Sequence, residues 1–126
     1  MIRTELNLRL PNSPGALGGV CRVLSDAAVN VLAMSLDTGG HLRLVVDNAI
    51  HAAGALRGLH HQVAERDVLV LPVANSPGSL APVLTLISDA GVNIDYAYGA
   101  GPESNRSAAI VLGVSDAMRA AAAAGV

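Results

Sequence analysis

The sequence has no Phe and no Trp, and it has only two Tyr among its 126 residues. Hydrophobic residues nevertheless make up 52% of the chain, so a core has to be built from Val, Leu, Ile and Ala. Such small side chains suit closely spaced layers of strands and helices. The single cysteine, Cys21, excludes an internal disulfide and leaves no second thiol for a metal site.

Lysine is absent as well, and the eight basic residues are all Arg, scattered along the chain. Together with a net charge of −2, this pattern argues against nucleic acid as a partner. No apolar run approaches the roughly 18 residues that a membrane span needs. The N-terminus also lacks the basic head and apolar block of a secretory signal. We therefore expect a cytoplasmic protein without a membrane partner.

The sequence does contain an internal repeat. Asn-Ser-Pro-Gly occurs at 12–15 and again at 75–78, which is 63 residues later and half the chain length. Residues 12–30 and 75–93 are identical at 11 of 19 positions. This similarity indicates a duplication, in which each copy is one structural unit.

Both copies show the same order of predicted elements, β-α-β-β-α. A strand with period-two alternation comes before each Asn-Ser-Pro-Gly, and an amphipathic helix with a period of 3.6 follows it. Two further strands joined by a glycine-containing hairpin come next, and then a second helix. The predicted strands are 5–10, 31–36, 41–47, 68–73, 94–98 and 108–114, and the second helices begin at Ala49 and Ala117.

The two copies differ at their ends and in their hairpins. A short fourth strand at about 62–65 can follow in the first copy, whereas the second copy has no residues left for one. The second hairpin is also five residues longer than the first. The predicted fold class is α+β: two ferredoxin-like βαββαβ modules in tandem, at 1–66 and 67–126, the second lacking its last strand.

The Asn-Ser-Pro-Gly segments are predicted to start the first helix of each module. The expected N-caps are Ser13 and Ser76, with Pro14 and Pro77 at the first helical position. At the C-terminal end of the helix in the second copy, Gly91 suits the position that takes a left-handed backbone conformation. Its counterpart is Ala28, so the first copy's helix either ends differently or accepts a strain of about 1 kcal/mol.

These loops can serve as binding sites or as simple turns. A strand that leads straight into a helix presents free backbone N–H groups and the positive end of the helix dipole, which favour an anion. Gly15 and Gly78 let a ligand approach the backbone, and the amides of Asn12 and Asn75 suit a zwitterion with a carboxylate and an ammonium group. The alternative interpretation is that the segment is only a good turn and helix cap.

The segments NSPGAL…AAVNV and NSPGSL…AGVNI resemble the ACT domain, a regulatory module with the pattern [Asp/Asn]-x-Pro-Gly-x-Leu, a helix and Gly-Val-Asn-Ile. The resemblance covers essentially the whole chain, and the overall layout resembles that of small stand-alone proteins made of two ACT modules. It implies that a free amino acid binds between two modules, where the loop of one faces the second strand of its neighbour.

The resemblance also implies which residues contact the ligand. On the loop side they are Asn12, Gly15, Leu17, Asn75, Gly78 and Leu80, with Ser13 and Ser76 of the same turns included as candidates. The facing residues are Asn30 and Asn93. The ligand itself is not specified, although the Ala-rich surroundings of the loops favour an uncharged side chain.

Other polar residues give no pattern for catalysis or metal binding. His51, His60 and His61 have no carboxylate spaced to join them, and a solvated helix end explains them better than a metal site. Cys21 lies on the apolar face of its helix, as a buried hydrophobe would. No histidine in the repeat activates the recurring Ser-Asp pairs. We therefore predict no catalytic site, no metal and no cofactor. Tyr96 and Tyr98 are predicted to pack in the core, although Tyr96 is close enough to Asn93 to lie near a ligand instead.

The connector between the modules is too short for the second strands to pair side by side within one chain. The edge of 68–73 would be open, and a turn at 65–67 that folds 62–65 back against it would fill the vacant place. Both second strands would then be sheet edges, which makes a homodimer the expected unit. Apolar Val68, Val70 and Val111, at positions that in the first module are Glu5, Asn7 and Arg43, also suggest a face that is covered.

Two functions follow from different parts of this pattern. The first is a non-catalytic regulatory module that binds a small free amino acid at interfaces between ACT modules and acts on a regulated enzyme or regulator. The second is a structural or oligomerisation scaffold that acts through protein–protein contacts without a ligand. Stabilisation by one of the twenty amino acids would distinguish the two.

Overall fold

The computed structural model describes all 126 residues, which form six strands and four helices. In chain order they are β1 (Ile2–Arg9), α1 (Ala16–Asp26), β2 (Val31–Leu36), β3 (His41–Val46), α2 (Ala49–Gly58), β4 (Ala64–Ala74), α3 (Leu80–Asp89), β5 (Ile94–Ala100), β6 (Ser107–Val114) and α4 (Ala117–Ala124). Outside the connector, every predicted element is present. The periodicity of the sequence therefore predicts the succession of elements correctly.

The strands form one sheet in the order β2-β3-β1-β4-β6-β5. The second strand of each copy, β2 or β5, is an edge of this sheet, as expected. The two second strands consequently do not pair with each other within the chain. Each pairs antiparallel with the third strand of its own copy, β2 with β3 and β5 with β6.

The predicted turn at 65–67 is wrong, because β4 is one unbroken strand from Ala64 to Ala74. This strand takes in residues 64 and 65 of the expected fourth strand, at 62–65, and all of the expected first strand of the second module, at 68–73. Arg66 and Asp67 offer no glycine or proline for a reversal, and no residue between 61 and 77 has a positive φ. β4 lies between β1 and β6 in the strand order, so it occupies the place that the expected hairpin would have filled.

The chain divides into two compact units. The first unit is Thr4–Arg66, and the second unit is Asp67–Val126 together with Met1–Arg3. The terminal ammonium group of Met1 donates to the carbonyl oxygen of Val70 (2.9 Å), and the Val70 N–H donates back to the Met1 carbonyl oxygen (2.8 Å). These two hydrogen bonds explain why the first residues of β1 belong to the second unit.

The core of the first unit lies between its strands and helices α1 and α2. Leu6 pairs with Leu44 and Leu8 with Leu42 across β1 and β3, and all four side chains are buried. Leu56 of α2 packs among them with no exposed surface. The alternation of apolar residues in β1 therefore marks the face that the helices cover, as predicted.

The core of the second unit repeats this arrangement with different side chains. Leu69 pairs with Leu112 and Leu71 with Ile110 across β4 and β6. Ile87 of α3 and small alanines of α4 complete the cluster. Neither core contains an aromatic ring, so the predicted core packing of Tyr96 and Tyr98 is wrong. Both side chains are only half-buried, and their rings stack on each other with centroids 6.3 Å apart.

The other face of the strands is more buried than the sequence indicates. Val68 and Val111 are almost fully buried, in line with their apolar character, but Glu5 is fully buried as well. Glu5 Oε1 accepts a hydrogen bond from Asn7 Nδ2 (3.0 Å), which satisfies part of its polar surface. Val68 and Val111 are therefore covered within the chain, whereas Val70 is half-buried.

All four helices end in the same motif, with a left-handed residue directly after the last turn. These residues are Ala28, His60, Gly91 and Gly125, with φ between 56° and 77°. After α1, the Ala28 N–H bonds to the Ser25 carbonyl and the Val29 N–H to the Leu24 carbonyl, the pattern of a Schellman motif. Of the two alternatives for Ala28, the strained one is therefore observed.

Candidate functional site

The first Asn-Ser-Pro-Gly segment forms a turn before the helix and not its first helical residues. In this first Pro-Gly turn (Ser13–Ala16), the Ala16 N–H donates to the Ser13 carbonyl oxygen at 3.3 Å. Gly15 has φ 85° and ψ −7°, the values of the third residue of a type II turn, and Pro14 occupies the second position. Helix α1 therefore begins only at Ala16.

The second Pro-Gly turn (Ser76–Ser79) has the same form. The Ser79 N–H donates to the Ser76 carbonyl oxygen at 3.4 Å, and Gly78 has φ 81°. The two serine hydroxyls lie 2.9 Å apart, and α3 begins at Leu80.

The prediction that Ser13 and Ser76 are N-caps with Pro14 and Pro77 in the first helical position is therefore wrong. The left-handed glycine after each proline delays the helix. No side chain caps the N-terminus of α1 or of α3.

A cavity of about 460 Å³ lies beside the first Pro-Gly turn. Of the predicted ligand residues, Ser13 and Gly15 line it. Asn12 is next to the cavity in sequence and is exposed, and Leu17 packs partly buried against the first core. His61 also lines this cavity, a residue that the repeat could not indicate because it has no counterpart in the second copy.

A similar cavity of about 400 Å³ lies beside the second Pro-Gly turn. Asn75, Ser76 and Leu80 line it, whereas Gly78 does not. The hairpin between β5 and β6 contributes Gly101 to the wall. This participation of the hairpin has no parallel in the first unit, where the cavity lining includes no residue of the β2–β3 turn.

The two asparagines of the repeat differ in their hydrogen bonds. Asn12 makes no side-chain hydrogen bond within the chain. Asn75 Nδ2 donates to the carbonyl oxygens of Pro102 and Asn105, both at 3.0 Å. These identical residues at equivalent positions therefore differ in their hydrogen bonding. The side-chain amide of Asn12 is available to a ligand, and that of Asn75 is already bonded.

The facing residue Asn30 does not approach the loop of its own unit. The Asn30 N–H donates to Asp47 Oδ1, and the Asp47 N–H donates to the Asn30 carbonyl oxygen, both at 3.0 Å. Asp47 follows one end of β3, whereas β1 leads into Asn12 beside the other end, at His41. The two ends are six residues apart, or about 20 Å.

Asn93 occupies the equivalent place in the second unit. Its N–H donates to Ser115 Oγ (3.1 Å), and its side-chain amide donates to Asp95 Oδ1 (2.9 Å). Tyr96 packs over Gly113, where a Cβ would lie only 2.3 Å from the ring. Neither unit therefore brings its loop together with its own facing asparagine.

One of the four histidines has a side-chain hydrogen-bond partner, and none lies in a cluster suited to a metal ion. His41 Nε2 lies 2.8 Å from Asn7 Oδ1, and the His41 N–H donates to Asp37 Oδ1 (3.1 Å). This backbone hydrogen bond lowers the pKa of the Asp37 carboxyl below its ordinary value. His60 is the left-handed residue after α2. No group of three or more His, Cys, Asp or Glu residues is placed to hold a metal ion.

A further cavity lies elsewhere on the first unit. It measures about 630 Å³, and its basic lining residues are Arg9, His41, His60 and His61. The sequence gives no signal for this cavity, because the residues come from three separate segments.

None of the helices is long and apolar enough to cross a membrane.

Comparisons with known proteins agree with this architecture. A family model described as an ACT domain pair matches residues 1–118. A protein of Bacteroides thetaiotaomicron has a similar structure with a TM-score of 0.89 and 31% identity, over 98% of this chain and 86% of that chain. No curated protein matches the sequence.

Two regulatory subunits share the fold at lower identity. The ligand-free regulatory subunit of aspartate kinase from Thermus thermophilus has a TM-score of 0.72 and 18% identity, over 99% of this chain and 92% of that chain. The corresponding subunit from Thermus flavus has a TM-score of 0.69 and 15% identity, over 99% and 94%. On the evidence of the family model, the repeated turn and the ferredoxin-like plan, the chain belongs to the family of ACT domain pairs.

Proposed function

We propose that the chain is a non-catalytic regulatory module that binds a small free amino acid at its Pro-Gly turns. The observation that carries this proposal is the open cavity of about 460 Å³ beside the first Pro-Gly turn, at the start of α1. Its size falls in the range of small-molecule sites. Family membership supports the same role.

The chemistry of the turn suits the carboxylate of an amino acid. Because α1 begins at Ala16, the backbone N–H groups of Leu17 and Gly18 have no helical acceptor. They lie at the positive end of the helix dipole, and the side-chain amide of Asn12 adds further donors. Most of the cavity lining is apolar or glycine, which favours a ligand with a small uncharged side chain.

We further propose that the functional unit is a homodimer. Asn30 and Asn12 lie at opposite ends of their unit, so a complete site takes its facing residue from another module. Edge strand β2 pairs only with β3 and exposes Leu32, Met34 and Leu36 by 39–48%. Pairing β2 with β2 of a second copy would cover these side chains. It would also bring Asn30 of the second copy to the Pro-Gly turn of the first.

The dimer is tested by the mass in solution. We expect Met34→Arg to convert a dimer into a monomer at micromolar concentration, measured by light scattering after gel filtration. The matched control is Ile50→Arg, because Ile50 is 87% exposed on α2, away from the sheet edges. A wild-type protein of monomeric mass would contradict the proposal.

The regulated partner is proposed to be a separate enzyme or regulator. The regulatory subunits of aspartate kinase that share the fold are consistent with such an arrangement. A ligand can change contacts with a partner only if it binds the two states with different affinity. We therefore expect the partner's activity to change when the protein carries the amino acid and to stay the same when the protein is unliganded.

A thermal-shift screen of the twenty amino acids tests the proposed function. A ligand at 100 times its Kd stabilises the folded state by about 2.7 kcal/mol, which raises Tm by several degrees. Asn12→Ala should lose this shift and keep the Tm of the unliganded protein, since Asn12 is exposed and makes no side-chain hydrogen bond. If no amino acid stabilises the protein at millimolar concentration, the scaffold function is favoured instead.

A further inference from the structure

The connection between β5 and β6 differs from its counterpart in length and in reach. The segment 94–114 is five residues longer than the equivalent segment 31–46. In the first unit, the short turn ends in a hydrogen bond from the Leu10 N–H to the Gly40 carbonyl oxygen (2.8 Å). This bond lies two residues before Asn12, so the turn does not reach the asparagine.

The longer hairpin of the second unit does reach the equivalent residue. The ladder between β4 and β6 continues to the pair Ala74 and Ser107, and the Asn75 N–H then donates to the Arg106 carbonyl oxygen (2.8 Å). The 101–106 hairpin, as we call the connection, therefore lies against the start of the second Pro-Gly turn.

The side chain of Asn75 completes this contact. A primary amide has two N–H groups, and Asn75 uses them on the carbonyl oxygens of Pro102 and Asn105, both at 3.0 Å. The Pro102 oxygen also accepts the Asn105 N–H (2.9 Å), which closes a four-residue turn. The acceptors are thus held in place by the turn itself, and both donors of Asn75 are occupied.

A glycine allows the two strands of this hairpin to lie close together where they leave the sheet. A Cβ at Gly101 would lie 2.8 Å from the Cβ of Ala108 on the opposite strand. Gly101 also lines the cavity beside the second Pro-Gly turn, together with Asn75. The hairpin is therefore tightly paired at its base and directs two carbonyl oxygens at the asparagine.

We propose that the 101–106 hairpin closes the second Pro-Gly turn to ligand, so that each chain binds one free amino acid, at the first Pro-Gly turn. The inference rests on the proposed function and assigns the ligand to one of two similar loops. The carbonyl oxygens of Pro102 and Asn105 occupy the donors that in Asn12 remain available to a carboxylate. A ligand at Asn75 would have to displace the hairpin first.

Calorimetric titration tests the assignment. The titrant is whichever of the twenty amino acids gives the largest thermal shift. We expect one ligand per chain for the wild type, at least a tenfold weaker affinity for Asn12→Ala, and less than a twofold change for Asn75→Ala. Two ligands per wild-type chain, one of them lost in Asn75→Ala, would overturn the proposal.

A variant without residues 102–106 gives the second arm. The deletion restores the length of the first unit's segment and removes all the acceptors of Asn75. We expect it to bind two amino acids per chain, while a further Asn75→Ala substitution returns it to one. A folded deletion variant that still binds one would contradict the proposal.

Hydrogen exchange separates this inference from the proposed function. Asn75→Asp keeps the shape of the side chain and replaces its N–H donors by a carboxylate that faces two carbonyl oxygens. We expect at least tenfold faster exchange of the Asn105 N–H in Asn75→Asp, and no change there in the matched Asn12→Asp. If an amino acid binds but exchange at Asn105 is unaltered, closure is wrong. If no amino acid binds any variant, the proposed function and the ligand assignment both fail, whatever the exchange.

Discussion

The two copies of the repeat end their first helices with different residues in the same conformation. Ala28 after α1 has φ 56°, and Gly91 after α3 has φ 74°. An L-residue in this region is strained, whereas glycine is not. We therefore predict that Ala28→Gly stabilises the protein and that Gly91→Ala destabilises it.

The magnitude follows from two opposing contributions. The left-handed conformation costs a residue with a Cβ about 1–2 kcal/mol. Glycine relieves this strain but makes the unfolded chain more flexible, which offsets about 0.4–1 kcal/mol. The net gain for Ala28→Gly is about 0.5–1 kcal/mol. Gly91→Ala should lower the free energy of unfolding by a similar amount. Backbone strain alone causes this loss, because a Cβ at Gly91 would meet no atom within 4 Å.

Urea denaturation measures both effects as changes in the free energy of unfolding at constant m-value. Gly54→Ala is the control for the second substitution. A Cβ at Gly54 also meets no atom within 4 Å, but Gly54 lies inside α2, where Ala is favoured by about 0.5–1 kcal/mol. The same chemical change should therefore have opposite signs at the two sites. Equal signs, or a destabilising Ala28→Gly, would refute the reasoning.

Three further predictions concern other parts of the chain. Asn48 caps α2 by accepting the His51 N–H (3.1 Å), so Asn48→Ala should cost about 1 kcal/mol in urea denaturation. Leu56 is fully buried in the first core, and Leu56→Ala should cost about 2–5 kcal/mol by the same measurement. The hydrogen bond from the His41 N–H lowers the pKa of the Asp37 carboxyl in the folded protein. The charged carboxylate therefore stabilises the fold at pH values above the unfolded pKa of about 3.9, and this contribution is lost as the pH falls through the lower folded pKa. Asp37→Asn should accordingly reduce the acid dependence of unfolding below about pH 4, measured by denaturation at several pH values.

Local patterns predicted the elements of each copy well. Period two before each Asn-Ser-Pro-Gly and period 3.6 after it correspond to strand and helix in the structure. The place of Gly91 after the helix predicts a left-handed residue, and the structure confirms it. These features depend on neighbouring residues, which is why a single sequence is enough to predict them.

Features that depend on competition between local and distant contacts were predicted less well. Ser13 is a good N-cap by type, yet the type II turn at Pro14 and Gly15 delays the helix. The sequence predicts two strands, at 62–65 and 68–73, because each resembles a strand of its own module. The sheet uses 64–74 as one strand, and pairing with β6 over 69–74 keeps it extended.

The candidate site shows the same limit. The repeat identifies Asn12 and Asn75 as equivalent, and nothing near Asn75 in sequence distinguishes them. The distinction comes from Pro102 and Asn105, about 30 residues away, which contact Asn75 only once the hairpin is folded. The sequence shows the five extra residues, but it does not show that they contact Asn75.

Binding at the first Pro-Gly turn is tested most directly by an NMR titration of the ¹⁵N-labelled wild-type protein with the most stabilising amino acid. The proposed site predicts saturable shifts of the Leu17 and Gly18 backbone amides and of the Asn12 side-chain amide, with the Asn75 side-chain amide unchanged. Saturable binding that leaves the Asn12, Leu17 and Gly18 signals in place would contradict it.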